Sequence, residues 1–145
     1  MKLSALLAIL ILAVAGTAVR AAELKLEAQL VWASNQSTSP NPKHKPVEPE
    51  IKKKLESLPL KWSYFYEVKR QEFSVSDASE TKVELSGKCQ LEVRDLGDNK
   101  VEISLCGDGK VVWKGAQALP KKEILVLGGK APGDTGWLVT IKRIE

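Results

Sequence analysis

The residues with the greatest chemical potential in this chain are one histidine and two cysteines. His44 lies between Lys43 and Lys45 in a proline-rich segment. A general base needs a positioned nucleophile and an orienting group, and this segment supplies neither. A thiol-protease pairing of His44 with Cys89 is therefore disfavoured. A zinc site would need carboxylates as well, and no stretch has the spacing of a zinc motif. The sequence predicts no catalytic residue, no metal site and no cofactor.

The two cysteines raise the question of a disulfide, because exported chains commonly form them and the N-terminal residues discussed below predict export. Cys89 and Cys106 flank a predicted hairpin that turns at Gly97-Asp98-Asn99. Pairing apolar residues across the two strands places Cys89 opposite Gly107 and turns Cys106 to the other face. A bulge at Gly107 would restore the bond, so a Cys89–Cys106 disulfide remains an alternative to the favoured free thiols. The apolar pairs that set this register are Leu91–Leu105 and Val93–Ile103.

A cluster of aromatic residues is the strongest local pattern. Trp62, Tyr64 and Tyr66 alternate with mainly polar residues and share their predicted strand face with aliphatic neighbours. Because aromatic rings carry large burial free energies, this pattern predicts a strand with these three rings in the core. The alternative is an exposed face on which sugar rings or a peptide stack, with Trp137 as a further stacking residue.

Alternating apolar and polar residues predict about eight short strands, separated by turn residues. Residues 34–46 form a predicted Pro/Ser-rich surface loop. Residues Pro49–Leu58 are the single predicted helix, since Pro49 suits a first turn and apolar residues repeat at helical spacing. Residues Ile124–Leu127 are apolar on both faces, which predicts a central, fully covered strand. Few segments are long enough for parallel crossovers, so an antiparallel β-sandwich is favoured, with a small β-barrel as the alternative.

The N-terminal residues have the pattern of a secretory signal peptide. Lys2 precedes an apolar run from Leu3 to Val14, and small residues follow before the polar chain begins. Cleavage after Ala21 is preferred over cleavage after Ala18, because the polar chain then starts at once. Residues 1–21 are therefore the expected signal peptide, and residues 22–145 a single exported β domain. The apolar run is shorter than the roughly 20 residues of a membrane span, and no later run approaches that length.

Charge narrows the range of partners. Without Lys2 and Arg20, the remaining 20 basic and 18 acidic residues give the mature domain a net charge of +2. Nucleic-acid binding requires a clustered basic surface, so this balance argues against it.

The remaining possibilities fall into three classes of function. The lack of a catalytic or metal constellation favours an exported, non-catalytic β domain that binds another exported or envelope protein. The first alternative is a carbohydrate- or small-ligand-binding module that uses the aromatic strand face. The second is an enzyme with carboxylate-only chemistry, because sequence spacing does not reveal two facing carboxylates. The expected location is periplasmic or extracellular.

Overall fold

A computed structural model describes residues 23–76, 79–130 and 134–144 of the chain. The predicted signal peptide lies outside the described residues. Within them the protein is mainly β, with nine strands and one short helix. The strands form two antiparallel sheets of five and four strands. The described strands do not close into a barrel, so the small-barrel alternative is wrong. The two-sheet arrangement is consistent with a β-sandwich.

The helix lies between the second and third strands of the chain. This helix, α1, spans Pro49–Glu56, and the strands are β1 (Leu24–Ser34), β2 (Lys45–Pro46), β3 (Tyr64–Val75), β4 (Glu80–Ser86), β5 (Cys89–Gly97), β6 (Lys100–Gly107), β7 (Lys110–Ala118), β8 (Ile124–Lys130) and β9 (Gly136–Arg143). The larger sheet has the order β2-β3-β1-β9-β8, and the smaller has the order β4-β5-β6-β7.

The main core lies between the two sheets. In β1, Leu26 and Ala28 alternate with polar residues and point toward the smaller sheet, where Leu91 and Ile103 meet them. All four side chains are fully buried. We call this side of the larger sheet its inner face. The period of two in β1 is therefore the pattern of a strand that faces a core on one side.

The other side of the larger sheet, its outer face, carries helix α1. Ile51 and Leu55 of the helix are buried against Val31, Ala33 and Phe65 in a second, smaller core. The predicted helical repeat is thus the contact surface of the helix, as expected for an amphipathic helix. This packing also explains why the end of β1 is apolar on both faces.

The β5–β6 hairpin has the register that apolar pairing predicts. Leu91 lies opposite Leu105, Val93 lies opposite Ile103, and Cys89 lies opposite Gly107. The turn residues Gly97, Asp98 and Asn99 all have positive φ angles, which Gly, Asp and Asn adopt most readily.

Strand β8 differs from its prediction as a central strand. It pairs with β9 and lies at the edge of the larger sheet. It nevertheless contributes a buried apolar side chain to the core on each face. Leu127 joins the main core on the inner face, and Ile124 joins the helix-side core on the outer face. The helix, rather than a second neighbouring strand, accounts for the continuous apolar run.

Candidate functional site

Strand β7 is an edge strand of the smaller sheet, and strand β8 is an edge strand of the larger sheet. In the described structure β7 is hydrogen-bonded to β6 only, and β8 to β9 only. The two strands are consecutive in the chain, and a short turn joins them. We call β7, this turn and β8 the open side of the protein. An unpaired edge presents backbone N–H and C=O groups that can pair with another strand.

The start of β7 carries the most exposed large apolar residue of the described chain. Val111 is 62% exposed and Val112 is 46% exposed. Val112 lies at a bulge. Val111 pairs with Cys106 and Trp113 pairs with the adjacent Leu105, so Val112 is the extra residue in β7. The bulge directly precedes Trp113, whose ring lies over the backbone of Gly115 and leaves no room for a side chain there. Trp113 packs against the main core, Val112 lies close to Gly107 and stays partly exposed, and Val111 is the most exposed of the three.

The backbone pattern shows which groups of β7 face outward. Leu119, just after β7, donates its N–H to the carbonyl of Asn99 at 2.6 Å, on the β6 side. Alternate residues of an antiparallel strand bond to the same neighbour. Gly115 therefore bonds toward β6, whereas Lys114 and Ala116 direct their N–H and C=O groups to the open edge.

The open side is basic. Residues 110–123 contain Lys110, Lys114, Lys121 and Lys122, against the single carboxylate of Glu123. All four lysines are exposed, and none forms an ion pair with a carboxylate of the described chain. On the solvent face of the smaller sheet, Lys114 lines a small polar cleft whose other charged residues are Arg94 and the carboxylates Glu80, Glu92 and Glu102.

A groove continues from the end of β7 toward β8 and the helix. Its volume is about 220 Å³, and Leu58, Leu119, Leu125 and Val126 contribute to its lining. Leu125 and Val126 are half-buried, so apolar surface remains accessible between the two edge strands. The exposed valines and this groove make the open side the candidate interaction surface.

The structure does not place the predicted aromatic residues on one face. Trp62 precedes β3 and belongs to the core under helix α1, on the outer face. Its ring packs against Gly136, and its Nε1 donates to the carbonyl of Asp134 at 2.8 Å. Tyr66 lies on the inner face instead, and Tyr64 is 42% exposed. The prediction that Trp62 shares a face with Tyr64 and Tyr66 is therefore wrong, because the strand begins only at Tyr64 and the chain reaches Trp62 from the helix side. Tyr64 and Tyr66 themselves keep the alternation of β3.

The inner face has an aromatic row that keeps Tyr66 and Trp137 of the predicted set and adds Trp32. Tyr66, Trp32 and Trp137 occupy adjacent positions across β3, β1 and β9. The Trp32 ring centroid lies 5.7 Å from that of Tyr66 and 6.3 Å from that of His44. His44 belongs to the predicted surface loop, which folds over this row; its Nδ1 is 3.0 Å from the Ser39 hydroxyl. Trp32 was not among the predicted site residues, because its only signal was its place at the end of an alternating strand.

Charged residues tie the start of helix α1 to the outer face. Arg70 of β3 pairs with Glu48, next to the helix, and its Nε donates to Glu67 at 2.7 Å. Burial opposes the charge of Arg70, but the hydrogen bonds with Glu67 and Glu48 leave the pKa of Arg70 above its usual value. Lys142 of β9 donates to Glu50 of the helix at 2.7 Å, and this hydrogen bond raises the pKa of Lys142.

These ion pairs have a structural explanation. They join the helix to strands β3 and β9 on either side of β1, next to the apolar contacts of Ile51 and Leu55. Gln29, buried between those strands, donates from Nε2 to Glu27 at 3.1 Å. The cluster holds carboxylates in salt bridges rather than presenting a facing pair to a cleft.

The two cysteines lie on paired strands but in different surroundings. Cys89 is buried in the main core, whereas Cys106 is half-buried and lies opposite Gln90. Both are free in this structure. Burial, and to a smaller extent the nearby Cys106, raises the pKa of the Cys89 thiol to about 11. Cys89 is thus a core residue whose thiolate is disfavoured at neutral pH.

Among the described residues, no three His, Cys, Asp or Glu side chains are grouped in a way that would hold a metal ion. No helix in the described ranges is long and apolar enough to cross a membrane. Comparisons with protein-family models, with curated proteins and with solved structures found no match to this chain.

Proposed function

We propose that this chain is an exported, non-catalytic β domain that binds another exported or envelope protein through its open side. The proposal includes the removal of residues 1–21 as a signal peptide and a periplasmic or extracellular location. It also takes the finer architecture to be a β-sandwich, in which β7 and β8 form one lateral edge.

The observation that carries this proposal is the exposure of Val111 and Val112 on an unpaired edge strand. Natural proteins usually cover such edges or line them with charges, since exposed apolar strands associate. In this protein two adjacent valines between Lys110 and Lys114 stay partly in solvent at the start of β7, and the groove lies at the other end of the same strand. An unpaired edge strand with exposed apolar residues is a surface at which a further strand can associate.

The test is a capture experiment with the mature domain and the native exported fraction. In the variant, Val111→Thr and Val112→Thr keep the β-branched shape but remove the apolar surface. Leu96→Thr is the matched control, because Leu96 is 47% exposed at a hairpin turn away from the open side. We expect the double variant to lose the proteins that the wild type and the Leu96→Thr control retain. Equal capture by all three would contradict the proposal.

The aromatic row supports a second candidate, a ligand-binding module. Trp32 and Trp137 are half-buried on adjacent strands, and rings in such positions stack against sugar or other planar groups. The loop carrying His44 lies over Trp32 and would have to move for a ligand to stack there. Titration of tryptophan fluorescence with soluble oligosaccharides tests this candidate. A saturable change that Trp32→Ala abolishes would support it, and an unchanged signal would exclude these ligands.

A further inference from the structure

We infer that the partner supplies an extended, acidic segment that adds as a further strand to the open edge of β7. This inference rests on the proposed function and names the chemistry of the partner. Strand addition to an exposed edge is a general mode of peptide recognition, in which main-chain hydrogen bonds provide affinity and alternate side chains provide specificity.

The backbone of β7 is ready for such pairing. Lys114 and Ala116 direct their N–H and C=O groups outward, by the alternation that the Leu119–Asn99 hydrogen bond establishes. From Trp113 to Ala118 each residue of β7 has its own partner in β6, without a bulge. This regular stretch offers a new strand a ladder of hydrogen bonds along the end of β7.

The two faces of the edge select different side chains on the added strand. On the core side, the ring of Trp113 over Gly115 presents an apolar surface. On the solvent face, the exposed Lys114 is itself a residue of the edge strand. Because side chains alternate along a strand, the favoured segment alternates apolar and acidic residues. A carboxylate opposite Lys114 would form a cross-strand ion pair of the kind that stabilises sheets.

Charge also decides against a second copy of this chain as the occupant. Pairing of β7 with another β7 would bring two copies of Lys110 and Lys114 together, and the strand contains no carboxylate to compensate. Lysines on sheet edges commonly prevent such self-association. On β7 they repel basic or identical edges and favour an acidic one, which is how repulsion contributes to specificity.

The test is a titration of the isotope-labelled mature domain, followed by NMR, with a synthetic peptide that alternates valine and glutamate. We expect shifts concentrated in the amides of Lys114, Ala116 and Ala118. A peptide that alternates valine and lysine should bind at least about tenfold more weakly, a difference of about 1.4 kcal/mol. Light scattering of the domain alone should show a monomer.

Two substitutions at one position provide the control. Ala116→Pro removes an outward N–H without breaking the β6–β7 ladder, and should weaken peptide binding at least about tenfold. Ala116→Thr keeps the N–H and should bind the peptide like the wild type. The amide spectrum of each unliganded variant reports whether the sheet is intact. If Ala116→Pro perturbs the β6 amides, the hydrogen bonds are removed from the peptide instead of from the protein. A peptide with N-methylated backbone amides has no N–H donors and should fail to bind the wild-type domain.

Several results would overturn the inference. These are no amide shifts, shifts away from β7, equal binding of the acidic and basic peptides, equal binding by Ala116→Pro in an intact sheet, or dimerisation through β7. Capture of the same proteins by Ala116→Pro and by the wild type would leave the proposed function standing while excluding strand addition. Loss of all capture by the wild type would contradict the proposed function itself.

Discussion

Cys89 shows how position within a hairpin determines the chemistry of a residue. The apolar register that places Leu91 opposite Leu105 also turns Cys89 into the core, and places Cys106 on the opposite face of its strand. In the core, the thiolate form of Cys89 is disfavoured and its pKa is raised to about 11. Of the two thiols, we therefore expect the half-buried Cys106 to react first with a reagent.

The first prediction concerns thiol reactivity. At neutral pH a thiol reagent should modify one cysteine of the folded domain rapidly, and a Cys106→Ala variant should lose that reaction. Under denaturing, non-reducing conditions two thiols should react in the wild type. Finding no reactive thiol in denatured monomer would show that the strands shift their register to form the Cys89–Cys106 disulfide.

The second prediction is a loss of stability at alkaline pH. Because the folded protein keeps the Cys89 proton to higher pH than the unfolded chain, this site favours unfolding as pH rises from 9.0, the ordinary thiol pKa, toward about 11. Below that window it has no effect. The full effect is on the order of 2–3 kcal/mol in unfolding free energy. Denaturant titrations should show a smaller alkaline loss for Cys89→Ala than for Cys106→Ala; equal losses would contradict the burial of this thiol.

The third prediction concerns Trp62. Its ring packs on Gly136 and its Nε1 hydrogen-bonds the Asp134 carbonyl, although part of the ring stays exposed. Trp62→Ala should therefore cost about 2 kcal/mol, less than the cost of truncating a fully buried ring. Tyr64→Ala, at an exposed neighbouring position, should change stability by at most about 0.5 kcal/mol. Thermal unfolding compares the two, and an unchanged melting temperature for Trp62→Ala would contradict the packing of its ring on Gly136.

At the scale of elements, helix α1 depends on both apolar and charged contacts with the outer face. Ile51 and Leu55 supply the apolar part, and Arg70 and Lys142 bind the acidic residues at the helix start. Removing one partner of a clustered ion pair leaves like charges facing one another. The helix should consequently be sensitive to changes in residues that lie far from it in sequence.

The fourth prediction tests this anchoring. Arg70→Met should lower the unfolding free energy by about 1–2 kcal/mol, because Glu48 and Glu67 lose their common partner. Lys52→Ala is the control, since the exposed Lys52–Glu56 pair should contribute at most about 0.5 kcal/mol. Urea titration measures both, and equal effects of the two substitutions would indicate that the Arg70 contacts add no stability.

Local sequence patterns predict the individual strands and the helix, but they do not predict which elements lie next to one another in the sheets. The β5–β6 register follows from apolar pairs, and the helix follows from the spacing of Ile51 and Leu55. By contrast, the edge position of β8 depends on the order of strands in the sheet, which alternation does not encode. The apolar run of β8 resembles that of a central strand because helix α1, and not solvent, covers part of its outer face.

The sequence pattern does not identify the residues of the candidate site. Alternation does not show that Val111 and Val112 are exposed, because the bulge and the edge position of β7 depend on strand pairing. The alternation of the sequence places Trp62 and Tyr66 on one face, but Trp62 precedes β3 and does not follow the period of the strand. The aromatic row of the structure instead joins Trp32 to Tyr66 and Trp137, which come from three different strands.

At the scale of the whole molecule, the proposed function requires export. The fifth prediction is that the mature chain begins between Val19 and Glu23, because small residues suit signal peptidase and the polar chain starts there. Intact-mass measurement of the protein from its native source decides this. A mass that retains Met1 would contradict export, and with it the proposed class of partner.

The most direct test of protein binding at the open side is photo-crosslinking in the native source. A photoreactive phenylalanine analogue replaces Val111 in one variant and Leu96 in another, and both positions are solvent-exposed. We predict a discrete higher-mass adduct from position 111 after illumination, and none from position 96. The absence of an adduct at position 111, or the same adduct from both positions, would contradict protein binding at the open side.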